Sequence, residues 1–400
     1  MIQLKYMRIA MMVRGFITTP PQNDIAYSPA GVAKAIAEGL AGKGHAITFF
    51  GPEGTTLHES VAVESCNLRP IASTSIDLEK QIATSDLFSD YRFSLYDAVM
   101  ARTMLERARA GEFDCVVFNH FESVLPLAPL FPSVPIVYIL HDNMDEARRE
   151  VIEAHASPNQ FFISISDSQR RNIPDLQYAA TVYNGVDTEH FAFSDEHEDY
   201  LFMAGRIVPE KGVKEAVQIA QQTKRRLLIA GSLSPQNYWY FDEHIKPFLD
   251  DKILFLGMLG RDQLVKYYQK AAAVLAPIQW DEPFGLSMAE ANSCGTPVVA
   301  FRRGSVPEVV DDGKSGYIVD NSAEMIMAIE KLSKISRKDC AARARKHFSE
   351  EIMVSNYERI LQEIIDNWKK PGSKPTKKRK RLGAKFTRGV SGISRLITGQ

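Results

Sequence analysis

The sequence predicts an α/β fold of two domains, each built on a parallel β-sheet, and three observations lead to this prediction. Short apolar runs alternate with longer amphipathic segments along the chain, as they do in βαβ units. The apolar runs are not interrupted by alternating polar residues, which is typical of parallel strands that are buried on both faces. A chain of 400 residues is also too long for one ordinary hydrophobic core.

The apolar runs form two series along the chain. The first series comprises Arg8–Val13, Ala46–Phe50, Cys115–Phe118, Ile136–Leu140, Phe161–Ser164 and Thr181–Tyr183. The second series comprises Tyr200–Ala204, Arg226–Ala230, Ile253–Leu256, Ala273–Ala276 and Val298–Ala300. Between the strands, apolar residues at helical spacing predict helices, for example over Ala30–Ala41 and Val213–Thr223. The run at Arg8–Val13 is interpreted as the first strand and not as a signal peptide, because no small-residue cleavage site follows it.

The division into domains is predicted from a charged stretch near Phe191–His197 that interrupts the alternation. We therefore expect an N-terminal domain over residues 1–193 and a C-terminal domain over residues 198–348. A long amphipathic helix over residues 349–368 follows, and residues 369–400 form a basic tail. That tail holds eleven Lys and Arg and no acid, so the rest of the chain carries a net charge of −12 although the total is −1.

Composition narrows the class of protein. The chain is 45% hydrophobic and 24% charged, which is typical of a soluble globular protein. No segment approaches the roughly 18 uncharged apolar residues of a membrane span. The four cysteines lie far apart and show no spacing that indicates a zinc site or a disulfide framework. We expect reduced thiols and a cytoplasmic protein.

The segment GRIVPEKGV, residues 205–213, follows a predicted strand and precedes a predicted helix. Gly205 permits a tight turn, after which Arg206 and Lys211 stand at the carboxyl edge of the sheet, where α/β proteins bind ligands. Two cations beside a helix N-terminus would suit a diphosphate. The alternative is that both are solvated loop cations, and this motif alone does not decide between the two.

The segment WDEPFGLSMAE, residues 280–290, separates Glu282 from Glu290 by eight positions. We expect a helix from Phe284 onward, with Glu282 just before it and Glu290 about two turns inside. The amides of Phe284, Gly285 and Leu286 would then form an unpaired helix N-terminus that favours an anion. Acids on either side of a bound phosphate suit a nucleotide sugar, whose diphosphate lies between a hexose and a ribose. Alternatively, the two acids are a helix-start acid and an exposed face residue.

These segments and several others resemble the retaining, GT-B-fold glycosyltransferases of family 4. The acidic pair matches the E-x7-E motif of that family, and the closest likeness is to a bacterial subgroup similar to avilamycin-type and tetrahydrobiopterin-type glucosyltransferases. The resemblance covers nearly the whole chain up to Trp368. It also includes Ala35–Phe50, Phe161–Arg171, Tyr183–Phe191, Cys294–Ala300, Gly304–Val310 and Asp312–Gly316.

The resemblance implies a fold and a set of roles at the donor side. Two Rossmann-like domains would face each other across a cleft, and the C-terminal helix would return to the N-terminal domain. Arg206 and Lys211 would neutralise the donor diphosphate. Glu290 would hold the ribose hydroxyls, and Glu282 would act at the donor hexose. The amides of Phe284–Leu286 would lie against the sugar and the distal phosphate.

In the N-terminal domain the resemblance implies that His141, at a strand end, faces the donor sugar as a catalytic residue. Ser166 and Asn184 belong to family motifs whose roles the sequence leaves open. The loop before the first helix departs from the family, because only Gly31 remains of the glycine pair that usually stands there.

The resemblance further implies retaining, metal-independent transfer of a glucose-type hexose from a nucleoside-diphosphate sugar, with a UDP-sugar as the expected donor. The acceptor would be a glycan, a lipid or a secondary metabolite. No acid pair or His/Cys cluster with metal-ligand spacing is present in the sequence, and we expect no cofactor. The alternatives are a sugar-nucleotide epimerase or hydrolase of the same fold and a catalytically weak sugar-nucleotide-binding protein.

The expected partners are therefore a nucleotide sugar and an acceptor. Acceptor contacts are expected from loops at Pro20–Tyr27 and Asp77–Tyr96, which carry no readable motif. Residues 369–381 are expected to be disordered. Residues 382–397 have the spacing of a basic amphipathic helix, which suits an anionic membrane surface at the inner face of the plasma membrane, although a solvated tail is the alternative. We expect no nucleic-acid partner, because the rest of the chain is acidic, and the sequence does not indicate an oligomeric state.

Overall fold

The protein is described here by a computed structural model, which covers residues 5–21, 25, 27–72, 74 and 87–368, with the side chains of 87–91 left out. The predictions for the tail over 369–400, including the membrane-surface helix over 382–397, lie outside these residues. So does much of the two predicted acceptor loops.

The N-terminal domain is built on a parallel sheet of seven strands in the order β3-β2-β1-β4-β5-β6-β7. Its strands are β1 (Arg8–Met12), β2 (Ala46–Phe50), β3 (Val61–Glu64), β4 (Cys115–Phe118), β5 (Ile136–Leu140), β6 (Gln160–Ser164) and β7 (Tyr178–Thr181). Its α-helices within the described residues are α1 (Ser28–Gly42), α2 (Leu87–Arg109) and α3 (Glu146–Ala154). The central strands are buried on both faces: in β1, Ile9 and Met11 pack into one hydrophobic core and Ala10 and Met12 into another.

The C-terminal domain is built on a parallel sheet of six strands in the order β10-β9-β8-β11-β12-β13. Its strands are β8 (Tyr200–Ala204), β9 (Arg226–Ala230), β10 (Ile253–Phe255), β11 (Ala273–Ala276), β12 (Val298–Phe301) and β13 (Gly316–Val319). Its helices are α4 (Val213–Thr223), α5 (Tyr238–His244), α6 (Arg261–Lys270), α7 (Leu286–Ser293), α8 (Val306–Val309), α9 (Ser322–Ile329) and α10 (Arg337–Phe348). The prediction of an α/β fold with two parallel sheets is confirmed.

Several local predictions were wrong. Strand β3 was not predicted, because it is a short edge strand whose residues Ala62 and Val63 are exposed. Strand β7 ends at Thr181 and does not run over Thr181–Tyr183. From Leu87 onward, the segment expected to be an acceptor loop over Asp77–Tyr96 is the start of helix α2.

The last helix, α11 (Glu350–Asn367), begins after Ser349, whose side chain accepts a hydrogen bond from the amide of Ile352. It returns to the N-terminal domain and packs on helix α1. There Glu358 lies 3.1 Å from His45 and 3.0 Å from Lys43. This return was predicted from the resemblance and is confirmed.

The chain therefore passes between the domains twice, and the two crossing segments lie side by side. The amide of Val186, in the first segment, donates to the carbonyl of Phe348 over 2.7 Å. The amide of Glu350, in the second, donates to the carbonyl of Val186 over 3.1 Å. The predicted break at residues 193–198 falls between β7 and β8, but the exact domain boundaries stay predictions.

In both sheets the strand order reverses direction at one point, between β1 and β4 in the first sheet and between β8 and β11 in the second. The connections leave the carboxyl edge on opposite sides there and open a crevice, which is where α/β proteins bind ligands. The predicted site residues follow strands at these two edges.

Candidate functional site

The crevice of the C-terminal domain is formed by the segments after β8 and β11. Arg206 follows β8 after Gly205 and is exposed, with no ion pair among the residues that the structure describes. Lys211 ends a short 3-10 helix over Pro209–Lys211, and Gly212 then starts helix α4 with a φ of 74°. Both predicted cations thus lie in the one segment that follows β8, at the carboxyl edge of the sheet.

Lys211 and Glu282 are in direct contact, although they are 71 positions apart in the sequence. The ammonium Nζ of Lys211 lies 2.5 Å from Oε2 of Glu282. The indole N–H of Trp280 donates to the same oxygen over 2.9 Å. Glu282 is only 7% exposed, so these two hydrogen bonds replace the water that its carboxylate loses on burial. This pairing, and the part of Trp280 in it, were not predicted from the sequence.

The segment around Glu282 is hydrogen-bonded to the loop after β12. The amide of Ser305 donates to the carbonyl of Glu282 over 2.9 Å, and the hydroxyl of Ser305 donates to the carbonyl of Phe284 over 2.8 Å. A Cβ atom at Gly304 would come within 2.3 Å of the backbone nitrogen of Glu282. The position of the Glu282 carboxylate is therefore fixed by the backbone as well as by its ion pair.

Helix α7 begins at Leu286, two residues later than expected. Pro283 and Gly285 explain the delay, since the residue before α7, Gly285, has a φ of 83°, in the left-handed region that glycine adopts freely. Glu290 consequently lies little more than one turn inside the helix and not two. The amides at the start of α7 remain among those that a helix leaves unpaired.

Glu290 is half-buried and has a partner that was also not predicted. The hydroxyl of Tyr268, in helix α6, donates to Oε2 of Glu290 over 3.0 Å. Burial raises the pKa of Glu290, while the Tyr268 hydroxyl and the charge of Arg261 act in the opposite direction. Glu290 is therefore not the exposed face residue of the alternative interpretation.

At the crevice of the N-terminal domain, His141 follows strand β5. Its Nε2 lies 3.0 Å from Oδ1 of Asn119, whose Nδ2 donates to the carbonyl of Met12. This orientation of the amide assigns the proton to Nε2 and leaves Nδ1 as an acceptor. Burial lowers the pKa of His141 to about 4, so the imidazole is neutral at pH 7.

A buried polar cluster lies next to His141. Asp97, in helix α2, has a fully buried side chain that accepts hydrogen bonds from the amide of Gly15 over 2.6 Å and from Nε of Arg14 over 3.2 Å. Burial raises the pKa of Asp97 to about 6. His120, which follows β4, lies 3.8 Å from Asp97, and burial lowers its pKa to about 3. The sequence signal for His120 was its place after a strand, the same as that of His141.

Three further positions were predicted besides those already described. Ser166 is fully buried and accepts a hydrogen bond from the amide of Gln169. Asn184 is buried in the first crossing segment. Gly31 lies in the first turn of helix α1 and not in a loop, because Pro29 at the start of the helix already has a helical φ. The roles predicted for these residues stay predictions.

The two crevices face each other, and contacts between the domains lie at their margin. The side-chain amide of Asn143 donates to the carbonyl of Asp281. The carboxylate of Glu308 accepts from the amides of Asp167 and Ser168, each over 2.8 Å. The residue Asn143 is two positions from His141 and Asp281 is next to Glu282, so these contacts bring the two sets of site residues towards one cleft.

The described part of the chain has neither a candidate metal-binding cluster nor a candidate membrane-spanning helix. It contains no group of three or more His, Cys, Asp or Glu side chains that could hold a metal ion. None of its helices combines the length and apolar character that crossing a bilayer requires.

Comparison with protein families gives two matches that together span most of the chain. The model described as Glycosyltransferase Family 4 matches residues 30–190. The model described as Glycosyl transferases group 1 matches residues 187–351. The first match covers the crevice with His141, and the second covers Arg206, Lys211, Glu282 and Glu290.

Among characterised proteins, the chain is similar to the D-inositol 3-phosphate glycosyltransferase of Mycolicibacterium smegmatis. The two are 31% identical over 193 residues, which is 44% of this chain and 43% of the relative. The matched stretch therefore spans less than half the length of that protein.

Among solved structures, AviGT4, a glycosyltransferase involved in avilamycin A biosynthesis, matches with a TM-score of 0.63 and 19% identity over 91% of this chain and 100% of AviGT4. HepE of Anabaena, solved in complex with UDP and glucose, matches with a TM-score of 0.65 and 17% identity over 90% of this chain and 100% of HepE. At these identities the likeness concerns the fold, and it confirms the predicted GT-B architecture.

Proposed function

The chain belongs to glycosyltransferase family 4, and on that premise we propose that it transfers a glucose-type hexose from a nucleoside-diphosphate sugar to an acceptor. The transfer retains the anomeric configuration and uses no metal cofactor. The acceptor is a glycan, a lipid or a secondary metabolite.

The observation that carries this proposal is the contact of Lys211, Glu282 and Trp280 at the carboxyl edge of the second sheet. A cation and an anion, both largely buried, stand next to the start of helix α7, and the backbone of the anion is held by the loop after β12. Arg206 adds an exposed positive charge at the same edge. A diphosphate with a sugar on one end and a ribose on the other matches this alternation of charge and hydrogen-bond acceptors.

In the proposed mechanism Arg206, Lys211 and the amides of Phe284–Leu286 balance the charge that develops on the leaving diphosphate. Glu282 accepts hydrogen bonds from the hexose, and Glu290 accepts them from the ribose. Neither acid acts as a covalent nucleophile. The acceptor attacks the anomeric carbon from the side that the phosphate leaves, and a departing phosphate oxygen takes the acceptor proton.

His141 acts on the sugar from the opposite domain. As a neutral imidazole it offers one hydrogen-bond donor and one acceptor without adding a charge. The contacts of Asn143 and Glu308 across the cleft support a closed arrangement in which water is kept from the activated sugar.

UDP is the expected nucleotide, and the structure of HepE with UDP and glucose supports this choice. Attachment to an anionic membrane surface through residues 382–397 and a cytoplasmic location remain part of the proposal.

The proposal is tested by incubating purified protein with UDP-glucose, UDP-N-acetylglucosamine, GDP-mannose and ADP-glucose, with and without EDTA. We expect release of UDP from UDP-glucose at a rate that EDTA does not change. Release without any transfer to added acceptors would favour the hydrolase alternative. If the protein neither binds nor turns over any of these donors, the proposal is wrong. NMR of the first product determines its anomeric configuration.

A further inference from the structure

Tyr268, in helix α6, is a fully buried tyrosine in an apolar environment. Its ring packs edge-on against Phe202, with the ring centroids 5.3 Å apart, and lies 6.1 Å from the ring of Phe191. A phenylalanine would fill the same space. The hydroxyl group therefore needs an explanation beyond packing, because burying it costs free energy unless it forms a hydrogen bond.

The hydroxyl of Tyr268 has one hydrogen bond among the described residues, which is the 3.0 Å contact to Oε2 of Glu290. Burial disfavours the charged form of Glu290, and the Tyr268 hydroxyl is the foremost group that favours it again. The phenol itself remains protonated, since burial and the nearby carboxylate both raise the pKa of Tyr268. It is therefore a permanent donor to the carboxylate.

The backbone of Tyr268 is anchored as firmly as its ring. The hydroxyl of Thr296 donates to the carbonyl of Tyr268, and Nη2 of Arg337 donates to the hydroxyl of Thr296 over 3.0 Å. Arg337 also donates to the carbonyls of Ala271 and Gln269, at the end of the same helix. The phenol is thus held at both ends and presents its hydroxyl from a fixed point.

We propose that Tyr268 is a positioning residue for the donor nucleotide: its hydroxyl holds Oε2 of Glu290 and leaves Oε1 to accept hydrogen bonds from the ribose hydroxyls. This inference rests on the proposed function, in which Glu290 binds the ribose. A free glutamate has three rotatable side-chain bonds, and fixing them when the nucleotide binds costs conformational entropy. The hydrogen bond from Tyr268 fixes the Glu290 side chain before the nucleotide binds, so this entropy is not lost on binding. It also favours the charged form of the carboxylate.

The test compares Tyr268→Phe with Tyr267→Phe. Tyr267 is the preceding residue of the same helix; its ring stacks on Phe202 at 5.6 Å, and its hydroxyl makes no hydrogen bond within the described ranges. The Kd values of UDP and of 2′,3′-dideoxy-UDP are measured by calorimetry for the wild type and both variants. Thermal unfolding of each variant is recorded in parallel.

We expect Tyr268→Phe to raise the Kd of UDP by about tenfold and that of 2′,3′-dideoxy-UDP by less than about twofold, because the lost hydrogen bond acts through the ribose. With UDP-glucose, KM should rise while kcat stays close to that of the wild type. Tyr267→Phe should leave all four quantities unchanged. The effect of Tyr268→Phe on UDP should also vanish in the Glu290→Gln background.

Equal losses of affinity for both nucleotides, or an unchanged Kd for UDP, would overturn the role of Tyr268 while leaving the proposed function intact. If the wild type itself binds UDP and its dideoxy analogue equally, the ribose role of Glu290 is wrong, and the positioning role fails with it. If the wild type binds neither nucleotide, the proposed donor is wrong. The binding of UDP by the wild type thus separates failure of the inference from failure of the proposed function.

Discussion

The two crevices of this protein hold their polar residues in different ways. At the edge of the C-terminal sheet, opposite charges are paired: Lys211 contacts Glu282, and the loop at Gly304–Ser305 supports the segment by hydrogen bonds to its backbone. At the edge of the N-terminal sheet, Asp97 is paired with Arg14, but Asp97 and His120 are also buried and carry strongly shifted pKa values. The positions of the charged groups in the first crevice are fixed by hydrogen bonds. In the second crevice the charge changes with pH, because the pKa of Asp97 is about 6.

The largest expected effect is at the paired edge. Glu282→Gln keeps the size of the side chain but removes the charge that faces Lys211. We expect kcat/KM for the sugar donor to fall by about a hundredfold or more, because both the cation and the hexose contact are disturbed. The measurement is steady-state transfer or donor hydrolysis. Glu210→Gln, which changes an exposed acid one residue from Lys211, is the matched control, and an equal loss there would contradict the assignment.

The next effect is a pH dependence at the N-terminal edge. The pKa of Asp97 is raised from 3.8 to about 6, so the folded protein binds a proton more tightly than the unfolded chain. The contribution of Asp97 to the free energy of unfolding is therefore fully present below about pH 4 and is lost as the pH rises through about 6. The change amounts to at most about 3 kcal/mol.

This dependence is measured as the difference in unfolding free energy between wild type and Asp97→Asn at pH 4 and pH 7. The wild type should lose stability relative to the variant on going to pH 7. His120 and His141 have the opposite pH dependence, because their lowered pKa values reduce the free energy of unfolding as the pH falls. Both histidines are present in the wild type and in the variant, so much of their contribution cancels in the difference. A difference that does not vary with pH would show that Asp97 titrates normally.

A smaller effect tests the backbone support of Glu282. A methyl group at Gly304 would meet the backbone of Glu282, and Gly304 also has a φ of 52°. We expect Gly304→Ala to lower the free energy of unfolding by about 1–3 kcal/mol and to weaken donor binding. Urea unfolding and nucleotide titration measure the two losses. Full donor affinity in a destabilised variant would show that the site does not depend on this support.

The smallest effect on stability is expected in the N-terminal domain, where Gly31 lies in helix α1 with open space around it. Gly31→Ala should stabilise the protein by up to about 1 kcal/mol, because alanine favours a helix more than glycine does. Donor turnover should remain unchanged. A marked loss of turnover without a loss of stability would instead support the predicted approach of this segment to the donor.

The sequence predicted the architecture and the place of Arg206 and Lys211 at one sheet edge, because both lie in the segment that follows a single parallel strand. It did not predict the contact of Lys211 with Glu282, since no periodicity relates residues 71 positions apart. Tyr268 could not be told from a core aromatic residue, as only its hydroxyl is unusual. The burial of Asp97 was not predicted, because an aspartate in a helix normally lies on the exposed face.

The paired hydrogen bonds of Val186 with Phe348 and Glu350 have a mechanical consequence. Two separate connections between the domains would allow each to bend independently, whereas two connections bonded to each other bend as one ribbon. A ribbon folds readily about an axis across its width and resists twisting and shear. We therefore expect the two hydrogen-bonded connections to restrict the relative motion of the domains mainly to bending about one axis.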